Sequence, residues 1–194
     1  LFTDTINTIT SYFVSSKELA PGNMGPPTNN FGAGSGGFDN LFPNGLVFNV
    51  YSDLTLDSVT IYPDGPGTIQ IKIVNIIGAT IYSNFYTIGQ NINPGSKLKV
   101  PIGQNITAGN GYIIEVSFVN SGNLSLYRNT INASYPYNYS NIASIISSTN
   151  GSTDSYFYFY NWDISTISCS SEKSEAVVYI DQCVGIEKIN YSSF

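Results

Sequence analysis

Hydrophobic and polar residues alternate over short runs along most of this chain. In Thr68–Val74, an extended backbone puts Ile69, Ile71 and Ile73 on one side and Thr68, Gln70 and Lys72 on the other, the pattern of a half-buried strand. Leu46–Val50, Leu54–Tyr62, Ile81–Ile88, Leu98–Ile102, Tyr112–Phe118, Leu124–Arg128 and Ile142–Ile146 read as further strands, rich in the β-branched and aromatic residues that fit a pleated surface. Between them stand Pro63-Asp64-Gly65-Pro66-Gly67, Gly78, Asn93-Pro94-Gly95 and Gly109-Asn110-Gly111. These residue types preset or tolerate the backbone of tight turns. No stretch sustains apolar residues at helical spacing between caps. The pattern predicts an all-β chain, an antiparallel β-sandwich (jelly-roll or Ig-like) of about nine or ten strands.

The densest apolar run is Tyr156-Phe157-Tyr158-Phe159-Tyr160-Asn161-Trp162-Asp163, which holds the only Trp and three of the fifteen Tyr. Read as one strand, it puts Tyr156, Tyr158, Tyr160 and Trp162 on one face and Phe157, Phe159, Asn161 and Asp163 on the other. Such a strand is either buried on both sides or carries an exposed aromatic platform. Sugar faces stack on flat rings, and Asn or Asp beside them binds hydroxyls. The candidate ligand-binding set is therefore Trp162, Tyr160, Tyr158, Asn161 and Asp163, joined by Arg128, Tyr135 and Tyr137. The competing reading makes the same rings core.

The ends break the alternation. Residues 1–16 contain one β-like run, Ile9–Val14, read as the closing strand of a preceding module. Residues 17–45 are dense in Pro and Gly, but Phe31, Phe38, Leu41 and Phe42 predict that they lie along the next domain. That domain, the sandwich, spans 17–168. Residues 169–183 form a terminal strand, Ala176–Ile180, flanked by Cys169 and Cys183 and pairing back towards Trp162 and Ile164, and 184–194 read as a polar tail. The chain opens on Leu1-Phe2-Thr3-Asp4 and reads as a fragment of something longer.

Composition narrows the chemistry. Only 10% of residues are charged, against about a quarter in an ordinary soluble domain, so the polar surface is built from Asn, Ser, Thr, Gly and Tyr, as in extracellular β-proteins. A net charge of -6, with seven scattered Lys and Arg, offers no basic stripe for nucleic acid. No apolar run approaches the roughly 20 residues of a membrane-spanning helix. With no His, neither a Ser nor a Cys nucleophile has its usual base, and no enzymatic activity is expected. Cys169 and Cys183 either form a disulfide closing a loop of about fourteen residues, worth on the order of 3 kcal/mol, or remain thiols. No cofactor is expected, although Asp- and Asn-rich loops offer oxygen ligands for a structural calcium ion.

Val59-Thr60-Ile61-Tyr62, Leu126-Tyr127-Arg128-Asn129, Tyr135-Pro136-Tyr137 and the aromatic run, followed by Cys169–Ile180, together resemble a β-sandwich module found near the C-termini of large secreted Bacteroidota surface proteins of the gliding and adhesion type. Thr10-Ser11-Tyr12-Phe13-Val14 is similar to the closing strand of the Ig-like repeats that precede such modules. Cys183-Val184-Gly185-Ile186-Glu187-Lys188 resembles the junction to a type IX secretion sorting domain. The resemblance implies export by the type IX machinery, an extracellular or cell-surface location, and surface glycans or another cell-surface protein as partners. It also implies O-glycosylation at Asp4-Thr5-Ile6 and Asp57-Ser58-Val59, on Thr5 and Ser58. The expected role is adhesion or carbohydrate binding, or else that of a spacer or secretion cargo with no ligand of its own.

Overall fold

The structure, a computed structural model, describes residues 10–14, 17–31, 36–40, 44–119, 124–170 and 174–178. The first strands are β1 (Thr10–Val14), β2 (Lys17–Met24), β3 (Gly36–Asp39), β4 (Asn44–Val50) and β5 (Leu54–Ile61). Then come β6 (Gly67–Val74), β7 (Thr80–Ile88), β8 (Leu98–Ile106), β9 (Gly109–Val119) and β10 (Leu126–Asn129). The last are β11 (Tyr137–Tyr139), β12 (Ala143–Ser148), β13 (Tyr156–Phe157), β14 (Tyr160–Ser170) and β15 (Ser174–Val178). Among the described residues there is no helix, and so none long and apolar enough to cross a membrane.

Leu19–Ser168 is one compact unit, an antiparallel sandwich. Its strands form a six-stranded sheet, β11-β12-β4-β9-β6-β7, a four-stranded sheet, β2-β14-β5-β8, and a three-stranded sheet, β13-β10-β3. Alternation decides which side faces inward. Ile69, Ile71 and Ile73 of β6 are buried while Thr68, Gln70 and Lys72 are only partly so, and Leu56, Val59 and Ile61 of β5 enter the same core. The edge-on contact of Phe48 (β4) with Trp162 (β14), centroids 5.1 Å apart, joins the two larger sheets. At Gly45 a Cβ would lie 1.8 Å from the Ile114 carbonyl oxygen, so the β4–β9 approach requires glycine.

The thirteen strands of this unit exceed the nine or ten expected. Pairing made strands of segments whose composition reads as irregular. β2 tolerates Pro21 because it is an edge strand, where a missing N–H loses little. β3 forms from Gly36-Gly37-Phe38-Asp39 because β10 supplies its partners, Leu126↔Asp39 through Asn129↔Gly36.

The chain ends pair differently from expectation. Ser174–Val178 does not return to the Trp162 strand. It pairs antiparallel with Thr10–Val14, from Thr10↔Val178 to Val14↔Ser174, in a second compact unit. Loop closure costs only slowly more as the intervening chain lengthens, so a strongly β-forming Thr10-Ser11-Tyr12-Phe13-Val14 competes well with a nearer partner. A pairing of Cys169 with Cys183 and the tail at 184–194 lie outside the described residues, as does Thr5.

Candidate functional site

The aromatic run is not one continuous strand. Tyr156 and Phe157 pair with Asn129 and Arg128. Tyr158 then adopts φ 59°, and the Phe159 N–H donates to the Phe157 carbonyl at 2.7 Å. The chain re-enters a ladder at Tyr160 opposite Thr60, but Asn161 takes φ 38° and the register shifts before Asp163 meets Ser58. Two left-handed residues three positions apart in the run, and a bulge, cancel the simple two-face alternation.

This break lets every ring turn inward. Tyr156, Phe157, Tyr158, Phe159, Tyr160 and Trp162 are each at most 1% exposed. The Tyr156 hydroxyl and the Trp162 indole N–H both donate to the Phe159 carbonyl, at 2.8 and 2.7 Å. Tyr160 donates to the side-chain oxygen of Asn129 at 2.7 Å. Tyr135 stacks on Tyr156 with centroids 6.0 Å apart, and Tyr137 meets the same ring edge-on at 5.3 Å. Trp162, Tyr160 and Tyr158 therefore have no free face for a sugar, and Tyr135 and Tyr137, half-buried, pack one side against Tyr156. Of the two readings the sequence left open, an exposed platform and an aromatic core, these rings form the core.

The polar candidates disperse. Arg128 pairs with Asp39 at 2.6 Å and lies over the Phe157 ring at 5.5 Å, an arrangement that stabilises a half-buried cation from two sides. The backbone N–H of Asn161 donates to the Pro26 carbonyl at 2.9 Å, which ties the Pro-rich segment to β14. Asp163 turns away from the rings altogether. It accepts hydrogen bonds from Asn23 (2.6 Å) and Ser58 (2.5 Å) and forms an ion pair with Lys99. Burial pushes the Asp163 carboxyl up, but the Lys99 and Ser58 hydrogen bonds and the Lys99 charge outweigh it and hold the group below the ordinary carboxylate range.

Asn23, Ser58, Lys99 and Asp163, with Asp57, line an open groove of about 590 Å³. Sequence reasoning found Asp163 but missed Asn23 and Lys99, because only the pairing of β2 with β14 and of β5 with β14 and β8 brings them together. Ser58 is buried and bonded to Asp163, so a glycan on Ser58 requires that contact to open. Among the described residues, no group of three or more Cys, Asp or Glu could hold a metal ion.

Burial leaves an alkaline signature. It pushes the Tyr158 hydroxyl up to about 12, with the Asp39 charge adding and the Asn44 and Arg128 side chains opposing. Tyr160, Tyr135 and Tyr156 shift in the same direction, again mainly through burial. For Tyr158, a folded value above the ordinary 10.0 means that the neutral hydroxyl stabilises the fold fully below pH 10.0 and progressively less up to about 12. Tyrosinate absorbance is expected to titrate in two classes, the buried class appearing together with loss of near-ultraviolet dichroism. A single class near the ordinary value would contradict the burial.

The geometry defines an all-β sandwich in which the aromatic run Tyr156–Trp162 is committed to the core, with a cluster of polar side chains in the Asp163 groove. No family model and no curated protein matches the chain. Among solved structures, it is similar to a chain in "Structure of infectious bursal disease virus Gt strain", at 11% identity and a TM-score of 0.25, over 90% of this chain and 40% of the viral one.

Proposed function

We propose that this chain is a non-enzymatic extracellular module of a multidomain surface protein exported by type IX secretion, and that it serves as a structural spacer. The observation that carries the spacer role is the complete burial of the Tyr156–Tyr160 rings and Trp162. Sugar binding by stacking needs a ring face in solvent, and none of these six rings offers one. The low charge and the resemblance to modules next to a sorting domain support the location.

Adhesion is the second reading, and the Asp163 groove favours it there and not at the rings. Its Asn23, Ser58, Lys99 and Asp163 side chains are the groups that bind hydroxyls. A glycan array with the whole chain, run with calcium and with chelator, separates the two. The spacer role predicts silence from folded protein. Binding that disappears in Lys99→Ala would replace it with adhesion through the groove. For the export route, deletion of the type IX machinery in a producing cell is expected to strand the protein in the periplasm, and unchanged surface display would overturn that route.

A further inference from the structure

An edge strand presents unpaired N–H and C=O groups, and proteins blunt this hazard with short strands, Lys, Pro or bulges. In the two larger sheets, three of the four edges are blunted in this way. β11 has only three residues and follows Pro136. β2 carries Pro21, and β8 carries Lys99 and Pro101 and breaks register against β5 between Leu56 and Ser58. The outer edges of the third sheet, β13 and β3, are two and four residues long.

β7 has only one of these protections, a bulge at its start where Ile81 is the extra residue between Thr80 and Tyr82. It is nine residues long, lacks Pro, and lies in a stretch without a charged residue between Lys72 and Lys97. Its single register break, opposite Ile73 and Val74, precedes a regular ladder from Tyr82 to Ile88. Among the described residues nothing pairs with its outer side. The inner face is fixed: Tyr82 and Tyr86 share a hydroxyl hydrogen bond, and Tyr86 donates to the Pro101 carbonyl of β8. The strand is therefore held straight by the sandwich whether or not its edge is occupied.

The direction of the free groups follows from one bond. The Phe85 N–H donates to the side-chain oxygen of the exposed Asn84 at 2.9 Å, which aims it to the edge away from β6. Alternate residues of an antiparallel strand direct their backbone groups to the same side, so Ser83, Phe85 and Thr87 all face the open edge. Their side chains share the outer sheet face, where all three are exposed and Phe85 is 57% so. Ile76 and Ile77, at the turn that enters β7, are 74% and 83% exposed and extend this apolar border.

We propose that β7 pairs antiparallel with β7 of a second copy of this chain about a two-fold axis, merging two six-stranded sheets. The occupant must be a strand of matching length whose own edge is open and uncharged. A second copy supplies that by symmetry, since an isologous contact needs only self-complementarity. Charge points the same way. Each copy carries -6, so copies repel over most of their surface, and the charge-free stretch is where two can approach without opposing carboxylates. A ladder centred on Phe85 sets Phe85 against its own copy and Ser83 against Thr87. The exposed Asn84 amide swings off the Phe85 N–H to admit the partner.

Sedimentation equilibrium of the whole chain tests this, from about 1 µM to 1 mM, the range in which modest interfaces associate. The wild type is expected to dimerise. The double substitution Ser83→Lys with Thr87→Lys puts like charges directly opposite in this register and should weaken association by about tenfold or more. Ser83→Lys with Thr87→Glu places opposite charges there and should restore it. Equal melting temperatures show that the variants remain folded. A wild type that stays monomeric throughout, or a double-Lys variant that dimerises as well as wild type, overturns the proposal. Failure of the Lys/Glu variant to recover overturns the Phe85-centred pairing.

Discussion

Trp162→Ala is expected to destabilise the sandwich by about 3–5 kcal/mol, the range for removing a large buried aromatic. The side chain is 1% exposed, its indole N–H donates to the Phe159 carbonyl at 2.7 Å, and its ring abuts Phe48 of the opposite sheet. The substitution thus opens a cavity between the two large sheets and removes one of the two donors to that carbonyl. Domains are stable by only about 5–15 kcal/mol in total, so a large share of the margin goes. Urea unfolding should show a lower midpoint with an unchanged slope, and Trp162→Phe should recover part of the loss by refilling the space. A Trp162→Ala variant as stable as wild type would mean that the ring does not bridge the sheets, and would return it to the list of surface candidates. The same reasoning makes Trp162→Ala a poor probe of ligand binding, because lost binding would report lost folding.

The fold class was legible because burial imposes a period of two. Ile69, Ile71 and Ile73 against Thr68, Gln70 and Lys72 is a pattern that only a half-buried strand explains, and the structure buries the predicted side. The fate of Tyr156–Asp163 was not legible. Both of its expected faces depended on continuous alternation, and the left-handed Tyr158 and Asn161 remove it. Asn161 tolerates that conformation but does not require it, and a Tyr there is a strained choice that only surrounding packing enforces. The Asp163 groove was hidden for another reason. Asn23, Ser58, Lys99 and Asp163 come from four strands, and one polar residue per strand leaves no local motif. Likewise the pairing of Thr10–Val14 with Ser174–Val178 links residues at opposite ends of the chain, and nothing local distinguishes it from a nearby hairpin. Sequence patterning reports whether a segment is half-buried; it does not report which segment lies opposite.

Asn129→Ala is expected to cost about 2–4 kcal/mol, for a reason unrelated to cavity volume: buried groups left without partners carry their full desolvation penalty. Asn129 is buried at the end of β10, and its amide works in three directions. The side-chain oxygen accepts from the Tyr160 hydroxyl at 2.7 Å, and the side-chain nitrogen donates to the carbonyls of Asn29 and Phe31 at 3.1 and 3.2 Å. One side chain thereby fastens the Pro-rich segment to the sheet that carries the aromatic core. Tyr160→Phe removes only one of these bonds and should cost about 1–2 kcal/mol. Because the two residues share a bond, the double variant should lose less than the sum of the single losses, by about 1 kcal/mol or more, and a double-mutant cycle in urea measures the difference. Hydrogen exchange adds a spatial readout. In Asn129→Ala the amides around 29–31 should exchange faster, while Phe31, whose ring still meets Tyr156 edge-on at 5.8 Å, keeps part of the segment in place. Strict additivity would show that the Asn129–Tyr160 bond contributes nothing, and that the segment is held by its apolar side chains alone.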